Sequence, residues 1–516
     1  MASTVTLDFL QNSFIFVLVI SLLSLLYSFF NKSNDQIERS SLARLPPSPP
    51  SLPIIGHLHY LLSKSLFKSF TELSSKHGPL LYLSAFNFPI LLVSSSSVAY
   101  DIFRTNDANF SSRYPSTIDN SIILGPYGFI TAPYGDYWRF MKKIVITELL
   151  GQQYLERSRG IRDEERERFI VNLVEKAKRG EVVDVGKVLM KLTNSSICKM
   201  AVGMSCFEAD GEVEKIEALV SETFGVSKKI LATIALRWLK RFGISLFEKD
   251  VLDVSRRYDE LFEKIIREHE ENPNREHKDM MDVVLEAYHN EKLEYKISRN
   301  QIKALFVELF VAATDTSSQV ARSTMAELIN HPSAFQKLRE EIDSVTGTKR
   351  LLRETDLPNL PYLHSVMKEG LRLHPPGALL PRKCDKGCKV GGFDVPKGSL
   401  LLVNYYAMMR DPSVWENPDE FRPERFSLAH VGSREVNKEK ALKYVPFGAG
   451  RRACPGENLA YVFMGMAIGT MVQCFDWRID SGKVNMEEAG YMALRMAYPF
   501  MSTPVLRFNP LASTTS

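Results

Sequence analysis

Phe447-Gly-Ala-Gly-Arg-Arg-Ala-Cys-Pro-Gly456 is the most informative stretch of the chain. Two glycines precede the cysteine and one follows it, a pattern that permits tight, positive-φ turns. Such a loop is expected to wrap closely around Cys454 and aim backbone N–H groups at its sulfur. Those donors would stabilise a thiolate and tune a metal centre bound to it. Phe447 is placed to cover such a ligand, and Arg452 offers charge to an anionic group nearby. For the bare G-x-R-x-C-x-G fragment, a glycine-rich turn around a buried cysteine is an equally good reading.

The other five cysteines, at 198, 206, 384, 388 and 474, are too few and too scattered for a disulfide scaffold. Cys384 and Cys388 are four apart, but no second Cys/His pair lies near enough to complete a zinc site. Most of these cysteines are expected to be small buried apolar residues. The 516 residues carry 65 basic against 61 acidic side chains, a net charge of +4. That balance does not call for a nucleic-acid partner, although a local basic patch can recruit an acidic protein. Length alone suggests about two to four domains. Beyond residue 56, however, there is no Gly/Ser linker, low-complexity tract or repeat, so 57–516 reads as one large domain.

That domain is expected to be mainly α with a small β region. Ser298-Arg-Asn-Gln301 is a capping box, and the helical pattern after it runs to His331-Pro332. Its roughly 32 residues, at about 1.5 Å each, make a helix long enough to cross a whole domain. A shorter helix is expected from Tyr362 to Leu373, stopped by Pro375-Pro376. Strands are expected at Leu80–Leu83, Ile90–Val93 and Ser399–Val403.

Phe447, Gly450, Arg452, Cys454 and Gly456 fit the signature Phe-x-x-Gly-x-Arg-x-Cys-x-Gly, and on it the chain resembles the cytochromes P450. The resemblance extends from the proline-rich segment to the C-terminus. It implies the P450 fold, haem b (iron protoporphyrin IX) as cofactor and Cys454 as the axial ligand to its iron. Ala312-Ala-Thr-Asp-Thr-Ser317 resembles the oxygen-activation motif, which implies that Thr316 holds oxygen and its water network while Asp315 helps deliver protons. Taken alone, the same residues read better as a polar patch that bends a buried helix. Ala313 stands where most members have glycine, and its methyl is expected to narrow the groove. Glu369 and Arg372 resemble the family's E-x-x-R pair, which joins Arg425 in an ion-pair network supporting the haem loop. Glu165 and Arg168 match that short pattern too, so order along the chain carries the assignment. Trp138 and Lys142 match the W-x-x-x-R helix with lysine for arginine. By resemblance, Lys142, Arg382 and Arg452 face the haem propionates, buried anions that need paired cations.

Phe14–Phe30 is uncharged and free of Pro and Gly, and with its flanks approaches the length that spans a bilayer. Residues 1–31 are therefore expected to be a membrane anchor, with 9–30 in contact with lipid. No basic n-region or nearby cleavage site supports a signal peptide. Lys32, Arg39 and Arg44 after the span place the rest of the chain in the cytosol, and the resemblance implies the endoplasmic reticulum membrane. Residues 32–56, polar and then proline-rich (Leu45-Pro-Pro-Ser-Pro-Pro-Ser-Leu-Pro53), are expected to be a stiff hinge.

No G-x-G-x-x-G fingerprint follows a strand, so electrons are expected from a separate NADPH-cytochrome P450 reductase. Arg139, Lys142, Lys143 and Arg451 are candidates for its docking face. The implied reaction is oxygen- and NADPH-dependent oxidation of a lipophilic small molecule. The segments assigned to the pocket by resemblance, 110–130, 205–235, Val311–Thr316, Gly377–Leu380 and Tyr491–Met496, are mostly aliphatic, as any core would be. The hinge, Pro-Tyr-Gly-Asp-Tyr-Trp, Asp-Leu-Pro-Asn-Leu-Pro-Tyr-Leu and Val-Gln-Cys-Phe-Asp-Trp-Arg resemble plant A-type members. Within these the chain is most similar to a crucifer group containing thalian-diol desaturase and an arabidiol-cleaving enzyme. A triterpene alcohol is the substrate this implies, with a phenylpropanoid or flavonoid as the alternative. Hydroperoxide rearrangement and haem-based sensing are the other classes; both are disfavoured by the intact Asp315-Thr316 pair.

Overall fold

Ser298 and Gln301 cap each other reciprocally. The Ser298 hydroxyl accepts the Gln301 N–H at 3.3 Å, and the Gln301 side-chain oxygen accepts the Ser298 N–H at 2.8 Å. The helix that follows runs unbroken from Arg299 to Asn330 and stops where Pro332 follows. The computed structural model describes residues 44–507 apart from 54, 87, 115–117, 119, 205–211, 237–238, 241–242, 274–277, 348–349, 428–441 and 481. The expected anchor over 1–31 lies outside the described residues, and no described helix is long and apolar enough to cross a membrane.

Eleven longer helices organise the described chain. They are α1 (Leu66–His77), α2 (Asp136–Ile144), α3 (Arg159–Arg179), α4 (Val185–Val202), α5 (Glu212–Ala235) and α6 (Glu248–Glu271), followed by α7 (Met280–His289), α8 (Arg299–Asn330), α9 (Pro332–Thr346), α10 (Pro361–Leu373) and α11 (Glu457–Cys474). The strands are β1 (Leu80–Ala85), β2 (Phe88–Val93), β3 (Val183–Asp184), β4 (Leu379–Lys383), β5 (Cys388–Val390) and β6 (Phe393–Val395), then β7 (Leu400–Asn404), β8 (Phe475–Arg478), β9 (Glu488–Ala489), β10 (Arg495–Met496) and β11 (Met501–Leu506). The largest sheet has the order β1-β2-β7-β4, with β2 and β7 parallel and the outer pairs antiparallel. The three expected strands are β1, β2 and β7. Strand β4 was not expected, because Pro381-Arg-Lys383 reads as loop until β7 supplies the partner. From Arg44 onward the proline-rich segment lies against this sheet region: Tyr82 N–H donates to Pro47 O at 2.8 Å and Asp394 N–H to Arg44 O at 2.7 Å.

Two apolar cores meet along α8. Ile302–Phe310 packs into one, with Trp138, Phe262 and Leu459; Val320–Leu328 packs into the other, with Leu363, Leu371 and Met464. Helix α11 crosses the same seam, between Phe463 and Met464. The seam therefore falls at Val311–Ser317 on α8 and near the start of α11, just after Cys454. Close approach of the helices is built into the sequence: a methyl on Gly370 of α10 would lie 2.0 Å from Thr324 Oγ1 of α8.

Candidate active site

Cys454 sits immediately before α11, whose N-cap is Gly456. Its N–H donates to Phe447 O at 2.8 Å, closing the loop, and Gly448 and Gly450 adopt the expected positive φ of 76° and 71°. A side chain at Gly450 would meet Asp107 Oδ1 at 2.2 Å. That carboxylate holds the loop through the Arg451 N–H and, at 2.6 Å, the Arg451 guanidinium. Gly456 departs from expectation, with φ of −91°. Its role is to present an N–H to the sulfur at a helix N-terminus, where donors and the helix dipole favour a thiolate. Burial pushes the Cys454 thiol above its ordinary range, while the Gly456 N–H and the charges of Lys142 and Arg113 pull it down. The residue is nonetheless exposed, as is Ala312 in the middle of α8, most of whose residues are buried.

Around this loop lie three guanidinium groups, on Arg113, Arg382 and Arg452. Among the described residues none has a carboxylate within 4.0 Å. Burial lowers the pKa of all three, and their mutual repulsion lowers those of Arg113 and Arg452 further, the latter to about 9. Their hydrogen bonding differs. Arg452 is spent on backbone: its donors reach the carbonyls of Ser111, Phe129, Ile130 and Ala132. Arg382 has only its own strand's Pro381 O at 3.0 Å and a long contact to Arg452 O. Arg113 Nε and the buried Trp138 Nε1 have no partner among the described residues. Lys142 Nζ donates to Ala453 O at 3.1 Å, beside the cysteine, and burial lowers its pKa. Buried cations and orphaned N–H donors of this kind suit a group bearing two carboxylates. The donor set thus fits haem, with Arg382, Arg113 and Trp138 better placed to serve propionates than Arg452. Arg113 carried no signal in the sequence, because distant segments create its burial.

Acids act on these charges from beyond ion-pair distance: Glu308 on Arg113 and Arg452, Asp385 on Arg452 and Asp107 on Arg382. Glu308, one lone carboxyl in the apolar run Ala304-Leu-Phe-Val-Glu-Leu-Phe310, accepts the Ile130 N–H at 2.9 Å and also bonds the Phe129 backbone. Segment 128–132 is thus gripped from two sides: Glu308 takes its N–H groups and Arg452 its carbonyls. Gly128 leaves the room, since a methyl there would lie 2.2 Å from Glu308 Oε1. Burial raises the Glu308 pKa from 4.5 to about 8. A carboxyl protonated more readily in the folded state favours folding fully below pH 4.5, and that contribution fades as pH climbs through about 8. Glu308→Gln is therefore expected to flatten stability against pH over this window, by at most about 5 kcal/mol, as denaturation of both proteins from pH 5 to 9 would show.

On α8, the Thr316 hydroxyl donates to Ala312 O at 2.6 Å, within its own helix. Thr193 of α4 donates to Thr314 O at 2.8 Å, and Ser318 to Asp315 O at 2.8 Å. Three carbonyls of one turn thus receive hydroxyl donors, which loosens the helical ladder there. Asp315 is paired with Arg495 of β10 at 2.8 Å and accepts from Gln319 at 3.3 Å. Of the segments assigned to the pocket, Gly377–Leu380 and Tyr491–Met496 are joined, by Leu379 N–H to Met492 O at 3.1 Å. Ala378 and Leu379, however, are buried in the core beneath the main sheet.

Behind the loop, Glu369 and Arg372 are both fully buried and paired bidentately at 2.7 and 2.9 Å, and Arg425 joins Glu369 at 3.1 Å. Glu165–Arg168 is a separate pair on α3. Of the candidate docking cations, Arg139 is paired with Asp136 and Arg451 with Asp107, and Lys142 points inward to the loop.

The family model described as Cytochrome P450 matches residues 46–503. Cytochrome P450 705A22 of Arabidopsis thaliana is 54% identical over 516 residues, covering 99% of each chain. Cytochrome P450 705A5 of the same plant is 52% identical, covering 98% of this chain and 99% of its own. The 3,9-dihydroxypterocarpan 6A-monooxygenase of Glycine max is 37% identical over 92% of this chain and 95% of its own. Among solved structures, a zebra fish cytochrome P450 with abiraterone superposes with a TM-score of 0.72 at 24% identity, covering 87% of this chain and all of that one.

Proposed function

From the premise that the chain belongs to the cytochrome P450 family, haem-thiolate monooxygenases, we propose that Cys454 ligates the haem iron and that the α8 turn around Thr316 manages oxygen and protons. The observation that carries this reading is Cys454, an exposed residue held at a helix N-terminus beside cations that form no ion pair among the described residues. Arg382 and Arg113, with Trp138 and Lys142, bind the propionates. Arg452 fixes the backbone wall of segment 128–132, and Phe447, packed on Tyr461 with ring centroids 5.4 Å apart, covers the loop. Haem, when bound, supplies the oxidising chemistry, drawing on dioxygen and two electrons to place one oxygen atom in the substrate and release the other as water.

The chain's own part is to orient and to move protons. The Thr316 hydroxyl turns from Ala312 O to donate to dioxygen and its water. Asp315 swings away from Arg495 to carry protons from the solvent side to that hydroxyl. Electrons come from NADPH through a membrane reductase, the anchor at 1–31 holds the enzyme on the endoplasmic reticulum membrane facing the cytosol, and residues 32–56 form its hinge. Ala313 and the aliphatic walls select a lipophilic plant metabolite, with a triterpene alcohol favoured. The pterocarpan named for the Glycine max relative supports the second reading, a phenylpropanoid or flavonoid. Co-expression with triterpene synthases, followed by mass analysis of new products, tests the substrate. With that substrate and the reductase, Thr316→Ala is expected to keep consuming NADPH while product per NADPH falls at least about ten-fold. Unchanged coupling would remove Thr316 from the proton path.

A further inference from the structure

Cys384 and Cys388 bracket a tight turn, Cys-Asp-Lys-Gly-Cys, between β4 and β5. The buried Cys384 thiol folds back over the turn and donates to Lys386 O at 2.9 Å, and the Asn109 amide approaches its sulfur at 3.6 Å. Cys388 is half-buried and interacts with Cys384 and with the Asn109 amide. Asn109 also fixes the turn itself, accepting the Lys386 N–H and donating to Lys386 O, both at 2.7 Å. Lys386 and Lys389 are exposed on either side of Cys388.

From this arrangement we propose that Cys384 and Cys388 form a reversible dithiol–disulfide site, oxidised by hydrogen peroxide, whose state is felt at the Arg382–Arg452 cluster. Interaction with Cys384 lowers the Cys388 thiol below its ordinary range, while interaction with Cys388 and burial raise Cys384. Cys388, the more exposed of the two, is then the nucleophile and the buried Cys384 the resolving thiol. The Cys388 thiolate attacks one peroxide oxygen, the O–O bond breaks, and hydroxide leaves a sulfenic acid on Cys388. Cys384 gives up its proton and attacks that sulfur; the S–O bond breaks and water departs. In sum, two thiols are oxidised by two electrons and one peroxide is reduced to two waters. Peroxide is also the two-electron reduction product of the dioxygen that the family's reaction consumes.

The turn is wired to the site. Asp385 accepts from the Ser112 hydroxyl, Lys383 N–H donates to Ser112 O at 2.8 Å, and the neighbouring Ser111 O accepts from Arg452. Arg382 lies two residues before Cys384. The site's thiol chemistry stands apart from the proposed substrate and from haem ligation, so its failure would leave those readings intact.

The test uses the reduced full-length holoprotein, treated with a several-fold excess of peroxide, quenched with N-ethylmaleimide and mapped by mass spectrometry. Tryptic fragments 384–386 and 387–389 are expected to be joined in most molecules and released by thioredoxin or dithiothreitol. Cys388→Ser should spare Cys384 from oxidation, and Cys384→Ser should leave Cys388 as a sulfenic acid that dimedone traps. Alkylation of both thiols in treated wild type, or equally fast oxidation of Cys384 in the Cys388→Ser protein, would overturn the site. Peroxide should also diminish the red-shifted CO band of reduced wild type more than that of Cys384→Ser; equal loss in both would overturn the link to the arginine cluster.

Discussion

Glu369→Ala is expected to prevent the folded, haem-containing protein from accumulating. Both carboxylate oxygens are in use: Oε2 accepts from Arg372 at 2.7 Å, and Oε1 accepts from Arg372, Arg425 and the Arg422 N–H at 2.9 to 3.1 Å. Glu369 and Arg372 are fully buried. Deleting the acid leaves the Arg372 guanidinium in the interior without its counter-charge and removes the ties that Arg425 and the Arg422 N–H make to α10. Removing one partner of a buried pair costs about 3–5 kcal/mol. Set against a typical net stability of roughly 5–15 kcal/mol, that is a large share of the margin. Denaturant midpoint and haem content per chain measure it. A variant that unfolds at the wild-type midpoint would show that the pair does not support the fold.

Arg452→Leu should be almost as severe, for a different reason. Its guanidinium serves the carbonyls of Ser111, Phe129, Ile130 and Ala132 at once, with Trp138 lying 4.4 Å beneath it. Each buried carbonyl left without a donor costs roughly 1–3 kcal/mol, less in sum than simple addition would give. Arg452→Lys keeps the charge, but a single ammonium cannot span acceptors spread from residue 111 to 132. Both variants are expected to lose haem on gel filtration and to melt lower than wild type, leucine more than lysine. A lysine variant that matches wild type would mean that charge alone matters at this position.

How much was legible in the sequence follows from which signals are local. The long helix α8 was readable to the residue because Ser298, Gln301 and Pro332 act within a turn of its ends. Strand β4 was not, since the strand it pairs with, β7, lies some twenty residues further on. Gly448 and Gly450 were read correctly as positive-φ positions. Gly456 was not, because its task is to cap a helix whose start the motif does not reveal. The nature of the arginines also escaped the sequence. Arg452 looked like a ligand for an anion, yet the fold commits it to four carbonyls. Arg113, invisible in Ser111-Ser-Arg-Tyr114, stands beside the cluster with a donor unpartnered. Glu308 did leave a trace, as one acid in an apolar stretch of helix.

These residues converge on Cys454. The most direct measurement is the CO-difference spectrum of the dithionite-reduced holoprotein, taken for wild type and Cys454→His side by side. Wild type is expected to show the red-shifted Soret band of a haem held by a thiolate, and the histidine variant to lose it while still binding CO. A wild type without the band, or a histidine variant that keeps it, would contradict the assignment of Cys454 as the iron ligand.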